Sequence, residues 1–158
     1  MSNITMTAKD ALSAKMAECF VTIEGKRYNA FNFLDVEIEV EKTKQEIPIL
    51  GKTGKGNKSS GWKGTGKAKM YYNTSIFREI LMKFIETGED VYFDMQITNE
   101  DKGSAAGKQT VVVTGCNANG GIMAKFDAAS DDPLDEEIEF TFEGIQMKDK
   151  FNLLNGML

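Results

Sequence analysis

Residues 34–41 read Leu34-Asp-Val-Glu-Ile-Glu-Val-Glu41, an alternation of apolar and acidic side chains. Because successive side chains of a β-strand point to opposite faces, this two-residue period predicts a strand with one buried face. The other face carries carboxylates about 7 Å apart, which repel one another unless water or basic groups surround them. These carboxylates belong to Asp35, Glu37, Glu39 and Glu41.

A lysine- and glycine-rich segment follows at residues 51–66. It contains six glycines, and its only large apolar side chain is Trp62. Such a segment cannot form an apolar core, and it is longer than most connections, so it predicts a long loop that is either functional or disordered. Gly51-Lys52-Thr53 resembles the end of a phosphate-binding loop, but that motif requires glycine where this chain has Glu46. Residues 67–72 then predict a strand that pairs with the acidic one.

Charge is distributed unevenly along the chain. Residues 51–72 contain six lysines and no acid, so the rest of this chain of net charge −5 carries −11. The excess acid lies mainly between Asp127 and Glu143, where no basic residue occurs. A molecule with opposite charges on different surfaces can bind copies of itself head to tail. The alternative is that both regions are ordinary solvated surfaces.

The remaining patterns predict a mainly β, α+β fold in a single domain over residues 1–158. A helix is expected over residues 75–87, with Asn73 or Thr74 as its N-cap and Gly88 after its end. Its apolar face comprises Ile76, Phe77, Ile80, Leu81, Phe84 and Ile85. Further strands are predicted at residues 19–23, 90–99, 109–114, 122–126 and 136–143. One helix cannot cover two sheets, so we expect a two-sheet β-sandwich or split β-barrel with a flanking helix.

The two termini have different compositions. Residues 1–16 are polar and small, and we expect them to form a loose N-terminal arm. Residues 151–158 form a C-terminal tail that is unusually apolar for a free end. The tail packs either on its own domain or on a neighbour, and the sequence does not distinguish the two.

The chemistry of an enzyme is not visible in this chain. Histidine is absent, and no serine lies in a nucleophile-elbow motif. Cys19 and Cys116 form no metal-binding pattern, which favours reduced thiols in a reducing cytoplasm. The acidic residues 127–135 lack EF-hand spacing, and no apolar run reaches the length of a membrane span. We therefore expect no catalytic residues, no metal, no cofactor and no stable membrane association.

Several segments together resemble a known protein family. They are Val40-Glu-Lys-Thr-Lys-Gln-Glu-Ile-Pro-Ile-Leu-Gly51, Gly64-Thr-Gly-Lys-Ala68, the helix after Thr74 and Glu136-Glu-Ile-Glu-Phe-Thr-Phe-Glu143. Over about residues 12–150 the chain resembles the tail tube proteins of contractile, myovirus-type phages from Gram-positive hosts and their defective prophages. The resemblance implies a two-sheet β-barrel with a flanking helix. It also implies hexameric rings that stack into a tube, either in a phage tail or in a headless R-type bacteriocin particle.

The resemblance further implies partners and residue roles. The partners are other copies of the chain, a tail sheath protein, baseplate proteins and a tail terminator, with DNA as transient cargo and assembly in the bacterial cytoplasm. The loop that reaches between subunits corresponds to Lys52, Lys55, Lys58, Trp62 and Lys63. A lumen that passes DNA should repel it, so the candidate lining is Asp35, Glu37, Glu39, Glu41, Glu137 and Glu139. The alternative for these acids is an outer, sheath-facing or simply wet surface.

A nucleic-acid-binding module is the rival interpretation. It would use the lysines of residues 51–72 to contact phosphates. The overall acidity opposes this interpretation, and so does the shortage of aromatic side chains for base stacking beyond Trp62, Tyr71 and Tyr72.

Overall fold

The computed structural model describes residues 4–158, which form eight antiparallel strands and one α-helix. The strands are β1 (Ala17–Ile23), β2 (Lys26–Asn29), β3 (Phe33–Pro48), β4 (Lys55–Tyr71), β5 (Phe93–Glu100), β6 (Lys108–Ala118), β7 (Asp135–Phe142) and β8 (Gly144–Asp149), and the helix is α1 (Ile76–Thr87). The strand order is β2-β1-β5-β6-β7-β4-β3, with β8 beside β6. The predicted mainly β fold with one flanking helix is confirmed.

Strand β6 joins the two halves of the molecule. On one side it pairs with β5, whereas on the other side it pairs first with β8 and then, through Asn117 and Ala118, with β7. The change of partner falls at Gly115, whose φ of +64° is readily adopted only by glycine. The sheet bends here into one half containing β2, β1, β5 and β8 and another containing β3, β4 and β7.

The core lies between these two halves and under α1. Phe93 of β5 meets Phe140 of β7 with ring centroids 5.5 Å apart. Phe77 of the helix meets Phe93 at 5.6 Å and Phe33 of β3 at 6.3 Å. The largest side chains with essentially no exposure are Phe93, Phe140, Met70, Met95, Val113 and Cys116. Burial of these apolar groups is the dominant favourable term in folding, so this chain of rings fixes the helix on the sheet.

Helix α1 is one residue shorter than predicted and packs over only part of its length. It begins at Ile76 after Ser75, rather than after Asn73 or Thr74, and Gly88 ends it in the left-handed conformation. Ile80 is buried, but Phe84 and Ile85 are exposed. The prediction of a continuous buried face was therefore wrong at the C-terminal end, where the side chains of Phe84 and Ile85 meet solvent.

Two local predictions were wrong. Residues 51–66 do not form a long loop, because β4 starts at Lys55 and only a short turn separates it from β3. The sequence of residues 55–63 does not indicate a strand, since almost all of these residues are exposed and their polarity does not alternate; the buried positions that follow, Gly64 and Gly66, are glycines and carry no apolar side chain. Residues 122–126 form no strand, and they belong to an irregular connection between β6 and β7.

The termini are anchored beside the turn between β5 and β6. The N–H of Ala105 donates to the Lys9 carbonyl at 2.7 Å, and the Ser13 N–H donates to the Asp101 carboxylate at 3.0 Å. The described part of the N-terminal arm is thus held in place rather than loose, and residues 1–3 of that arm lie outside the described residues. In the C-terminal tail, the Asn152 N–H donates to the Ala106 carbonyl at 2.7 Å. The tail therefore packs at least partly on its own domain.

Candidate functional site

The most unusual feature is a projecting two-stranded ribbon, here called the β-arm (residues 41–63). Strand β4 pairs with β7 only from Gly64 to Tyr71, whereas its earlier residues pair with β3 alone. The pairs run from Glu41 with Lys63 to Pro48 with Lys55, which corresponds to about 23 Å of strand. Nearly every residue of the β-arm is exposed. An isolated two-stranded hairpin is only marginally stable in water, so the part of the ribbon beyond the sheet gains little stability from its own two strands.

The β-arm is basic and has an apolar tip. It contains six lysines and two glutamates, a net charge of +4. The Lys55 Nζ lies 3.6 Å from the Glu46 carboxylate, but both side chains are more than 60% exposed and the pair adds little stability. At the tip, Ile49 is partly exposed and Leu50 is fully exposed. The β-arm thus presents apolar side chains surrounded by positive charge.

All five residues predicted for the inter-subunit loop lie on the β-arm. Lys52, Lys55 and Lys58 are near its tip, whereas Trp62 and Lys63 are at its base. The ring centroid of Trp62 lies 6.0 Å from that of Phe142 in the same subunit, and the side chain is still 47% exposed. Trp62 therefore supports the base of the β-arm on its own domain, and half of its surface remains available.

A second feature is the charged face of β3, β4 and β7. Directly opposite residues of neighbouring strands share a face, and the register places Glu37 opposite Lys67 and Lys67 opposite Glu139. Asp35, Lys69 and Glu137 form the next row. The charged face comprises Asp35, Glu37, Glu39, Glu41, Lys63, Lys67, Lys69, Glu137 and Glu139. The predicted pairing of β4 with the acidic strand is confirmed, and all six candidate lining acids lie on this one face.

The lysines of β4 only partly neutralise the charged face. The six carboxylates and three ammonium groups sum to −3, and the further carboxylate of Asp135, 3.6 Å from Lys69 Nζ, is offset by Lys125 Nζ at 3.7 Å. The Lys67 Nζ lies 3.5 Å from the Glu37 carboxylate, and attraction by that carboxylate raises the pKa of Lys67. A hydrogen bond shared with Glu37, and repulsion between the two carboxyl groups, raise the pKa of Glu39. The carboxylates of β3 therefore repel one another even though the lysines of β4 lie beside them.

Sequence reasoning missed one buried ion pair. The Arg78 guanidinium of α1 donates to the Glu136 carboxylate of β7 at 2.6 Å, and Glu136 is only 4% exposed. Arg78 also stacks over the Tyr72 ring at 4.2 Å and donates to the Thr74 carbonyl. The pair joins the start of the helix to the sheet. The sequence did indicate that Glu136 is buried, because it lies two residues before the buried Ile138 and therefore points to the same face of its strand.

The described residues offer little for catalysis. Within residues 4–158 no three histidine, cysteine or carboxylate side chains gather as metal ligands do. Burial raises the pKa of the Cys19 and Cys116 thiols to about 12, so neither is a reactive thiolate at neutral pH. No helix in this part of the chain combines the length and apolarity of a membrane span.

The lysines also do not form one nucleic-acid-binding surface. Lys63, Lys67 and Lys69 lie opposite acidic residues on the charged face. The other three lysines, Lys52, Lys55 and Lys58, project from the β-arm, where Lys55 Nζ lies 3.6 Å from the Glu46 carboxylate. Phosphate binding depends on positive charge concentrated along one surface, so this arrangement does not favour the rival interpretation.

The fold is shared with proteins of contractile injection systems. A chain of the sheath/tube terminator of an extracellular contractile injection system, in its extended state, superposes with a TM-score of 0.67 at 12% identity, covering 90% of this chain and 100% of the other. A chain of the sheath–tube complex of such a system gives a TM-score of 0.62 at 13% identity, covering 89% and 93%. At these identities the similarity establishes the fold, which is that of subunits from contractile injection particles.

The family follows from the sequence comparisons. The family described as "Phage tail tube protein" matches residues 4–149, and this chain belongs to it. The phage-like element PBSX protein XkdM of Bacillus subtilis (strain 168) is 31% identical over 149 residues, covering 94% of this chain and 98% of the relative. The resemblance noted from the sequence is thereby confirmed, and the chain is a structural component of a tail tube.

Proposed function

We propose that copies of this chain form hexameric rings, and that these rings stack into the inner tube of a contractile tail. The observation that carries the proposal is the β-arm, a ribbon about 23 Å long whose two faces are exposed in the isolated subunit. A ribbon of this kind gains stability when it packs on another copy. Its length allows it to bridge neighbouring subunits or rings, which supports a role in assembly.

Unpaired strand edges supply the contacts within a ring. In the described chain β2 pairs only with β1, and β3 pairs only with β4, so the outer edge of each is open. Open edges are templates for pairing with another chain. Because the two edges differ, one edge of a subunit would meet a different edge of the next subunit, and such a heterologous contact closes into a ring of six when each contact turns the next subunit by a sixth of a full rotation.

The charged face is our candidate for the lumen. Its net charge of −3 would be multiplied by every copy in a ring, and a negative wall keeps passing DNA from adhering. The side of each subunit opposite the lumen would then face a sheath protein, and the ends of the tube would meet baseplate and terminator proteins. We place assembly in the bacterial cytoplasm, for a phage tail or a headless bacteriocin particle. The role is structural and requires no catalysis.

Electron microscopy of negatively stained, concentrated protein tests the assembly proposal. Wild-type protein should form rings or hollow rods. A variant in which residues 46–57 are replaced by Asn-Gly keeps the pair Gln45–Lys58 and closes it with a tight hairpin turn. This variant should retain the circular dichroism spectrum of the wild type but form no stacked rods. A wild-type protein that stays monomeric at every concentration and beside its sheath protein would exclude the proposal.

The lumen assignment needs a separate test in assembled particles. The double variant Glu37→Lys/Glu39→Lys should impair DNA delivery by phage particles or killing by headless ones, because DNA or other cargo would adhere to the wall. The control is Glu18→Lys/Glu100→Lys, which makes the same charge change on the outer face of β1 and β5. If the control impairs delivery and the first variant does not, the charged face lies outside the tube.

A further inference from the structure

An apolar surface remains uncovered at the C-terminal end of α1. Phe84 is 48% exposed and Ile85 is 67% exposed, although their spacing continues the buried face of the helix. One turn earlier the helix is covered, because a Cβ built on Gly121 would stand 3.2 Å from Leu81 Cδ1. The helix-end patch consists of Phe84 and Ile85.

The surroundings of the helix-end patch attract a cation. Glu86, Glu89 and Asp90 are exposed beside it, and the last turn of α1 contains no basic residue. The C-terminus of a helix carries partial negative charge, so acids at this end are unfavourable unless positive charge approaches. Lys83 is the nearest lysine in the helix, but its Nζ lies 2.7 Å from the Glu24 carboxylate. The patch therefore fits a partner that is both apolar and basic.

The tip of the β-arm has the matching chemistry. Its exposed Ile49 and Leu50 are followed within the ribbon by Lys52, Lys55 and Lys58. Among these lysines, the described residues include an ion-pair partner only for Lys55. The tip of the β-arm therefore has apolar side chains with basic neighbours, and the helix-end patch has apolar side chains with acidic neighbours. The two surfaces are complementary in both apolarity and charge.

The charged face is a weaker receptor for the tip. It already contains the β4 lysines, and the residues on it are polar or charged, so a docked Leu50 would bury no apolar partner there. At the helix-end patch both contributions are available, because apolar burial supplies affinity and charge complementarity supplies orientation.

We infer that the β-arm tip of one copy docks on the helix-end patch of another copy. The inference rests on the proposed function and names the receptor surface for the β-arm. In the contact, Leu50 packs against Phe84 and Ile85, and the lysines of the tip face the acids at the end of α1. Each copy has one tip and one patch, so the contact is heterologous and propagates along a stack.

Site-specific cross-linking tests the inference while leaving the contact residues in place. Thr53→Cys marks the tip, Met82→Cys marks the patch, and Thr65→Cys in the middle of the charged face is the control receptor. The native cysteines are buried and their raised pKa keeps them unreactive. Tip-marked protein is mixed with each receptor-marked protein, allowed to assemble, and treated with a short bifunctional maleimide. We expect cross-linked dimers between positions 53 and 82 and none between 53 and 65.

A charge exchange provides the second measurement. Lys52→Glu/Lys58→Glu alone, or Glu86→Lys/Glu89→Lys alone, should abolish the cross-link between positions 53 and 82, and mixing the two should restore it. Assembled particles that cross-link at position 65, or at neither receptor, would overturn the inference and leave the tube proposal standing. A chain that never associates, with no particles and no cross-link, would overturn both.

Discussion

The packing of Gly66 under a phenyl ring allows a quantitative test of the core. In β4, a Cβ added at Gly66 would stand 2.4 Å from Phe140 Cζ and 2.9 Å from Ile38 Cδ1. Phe140 has no exposed surface, so its ring cannot move aside into solvent. Overpacking of this kind costs about 1–3 kcal/mol. The smaller conformational freedom of alanine in the unfolded chain offsets about 0.4–1 kcal/mol of that cost.

We therefore expect Gly66→Ala to lower the free energy of unfolding by about 1–2 kcal/mol. The control is Gly61→Ala in the β-arm, where an added Cβ meets nothing within 4 Å and stability should not fall. Equilibrium urea unfolding of the dilute subunit, followed by circular dichroism, measures both variants. The double variant Gly66→Ala/Phe140→Leu should be more stable than the sum of its single changes predicts, because the smaller side chain admits the methyl group. A Gly66→Ala variant as stable as the wild type would refute this description of the core.

Three further outcomes follow from the buried pair, the acidic row and the thiols. Arg78→Met leaves Glu136 buried without its partner and should cost about 3–5 kcal/mol by urea unfolding, whereas Arg78→Met/Glu136→Leu should recover most of the loss. Because Glu37 raises the pKa of Glu39 in the folded chain, the folded state binds this proton more tightly, and the contribution of Glu39 to stability should fall as pH rises through the carboxyl range, whereas the lowered pKa of Glu24 acts in the opposite direction. In thermal unfolding recorded against pH, the wild type should lose stability relative to Glu39→Gln as pH rises through this range, and a difference between the two proteins that does not change with pH would contradict the assignment. The two native thiols, with pKa values raised to about 12 by burial, should react with a thiol reagent at neutral pH only after unfolding.

The elements that bury one face could be predicted from the sequence. Alternation in residues 136–143 and helical spacing after Ile76 mark side chains that meet the core, because burial imposes a period on the residues that experience it. The buried face predicted for residues 34–41 was only partly correct, since Val36 and Ile38 pack against the core whereas Leu34 and Val40 are exposed. The absence of histidine and of catalytic motifs pointed away from an enzyme, and the order of several segments indicated the family. The five candidate residues of the long loop all lie on the β-arm, although the sequence predicted a loop there and the structure has a two-stranded ribbon.

Only the tertiary structure decided which of these elements share a surface. Strand pairing is non-local, so nothing near Glu37 in the chain indicates that Lys67 and Glu139 lie in the same row. The sequence of the β-arm has no periodic pattern because neither of its faces is buried within the subunit. Phe84 has the helical spacing of a core residue, but its side chain is 48% exposed in the folded subunit. Local sequence patterns report burial within the chain, whereas the surfaces used for assembly depend on where each element ends relative to its neighbours.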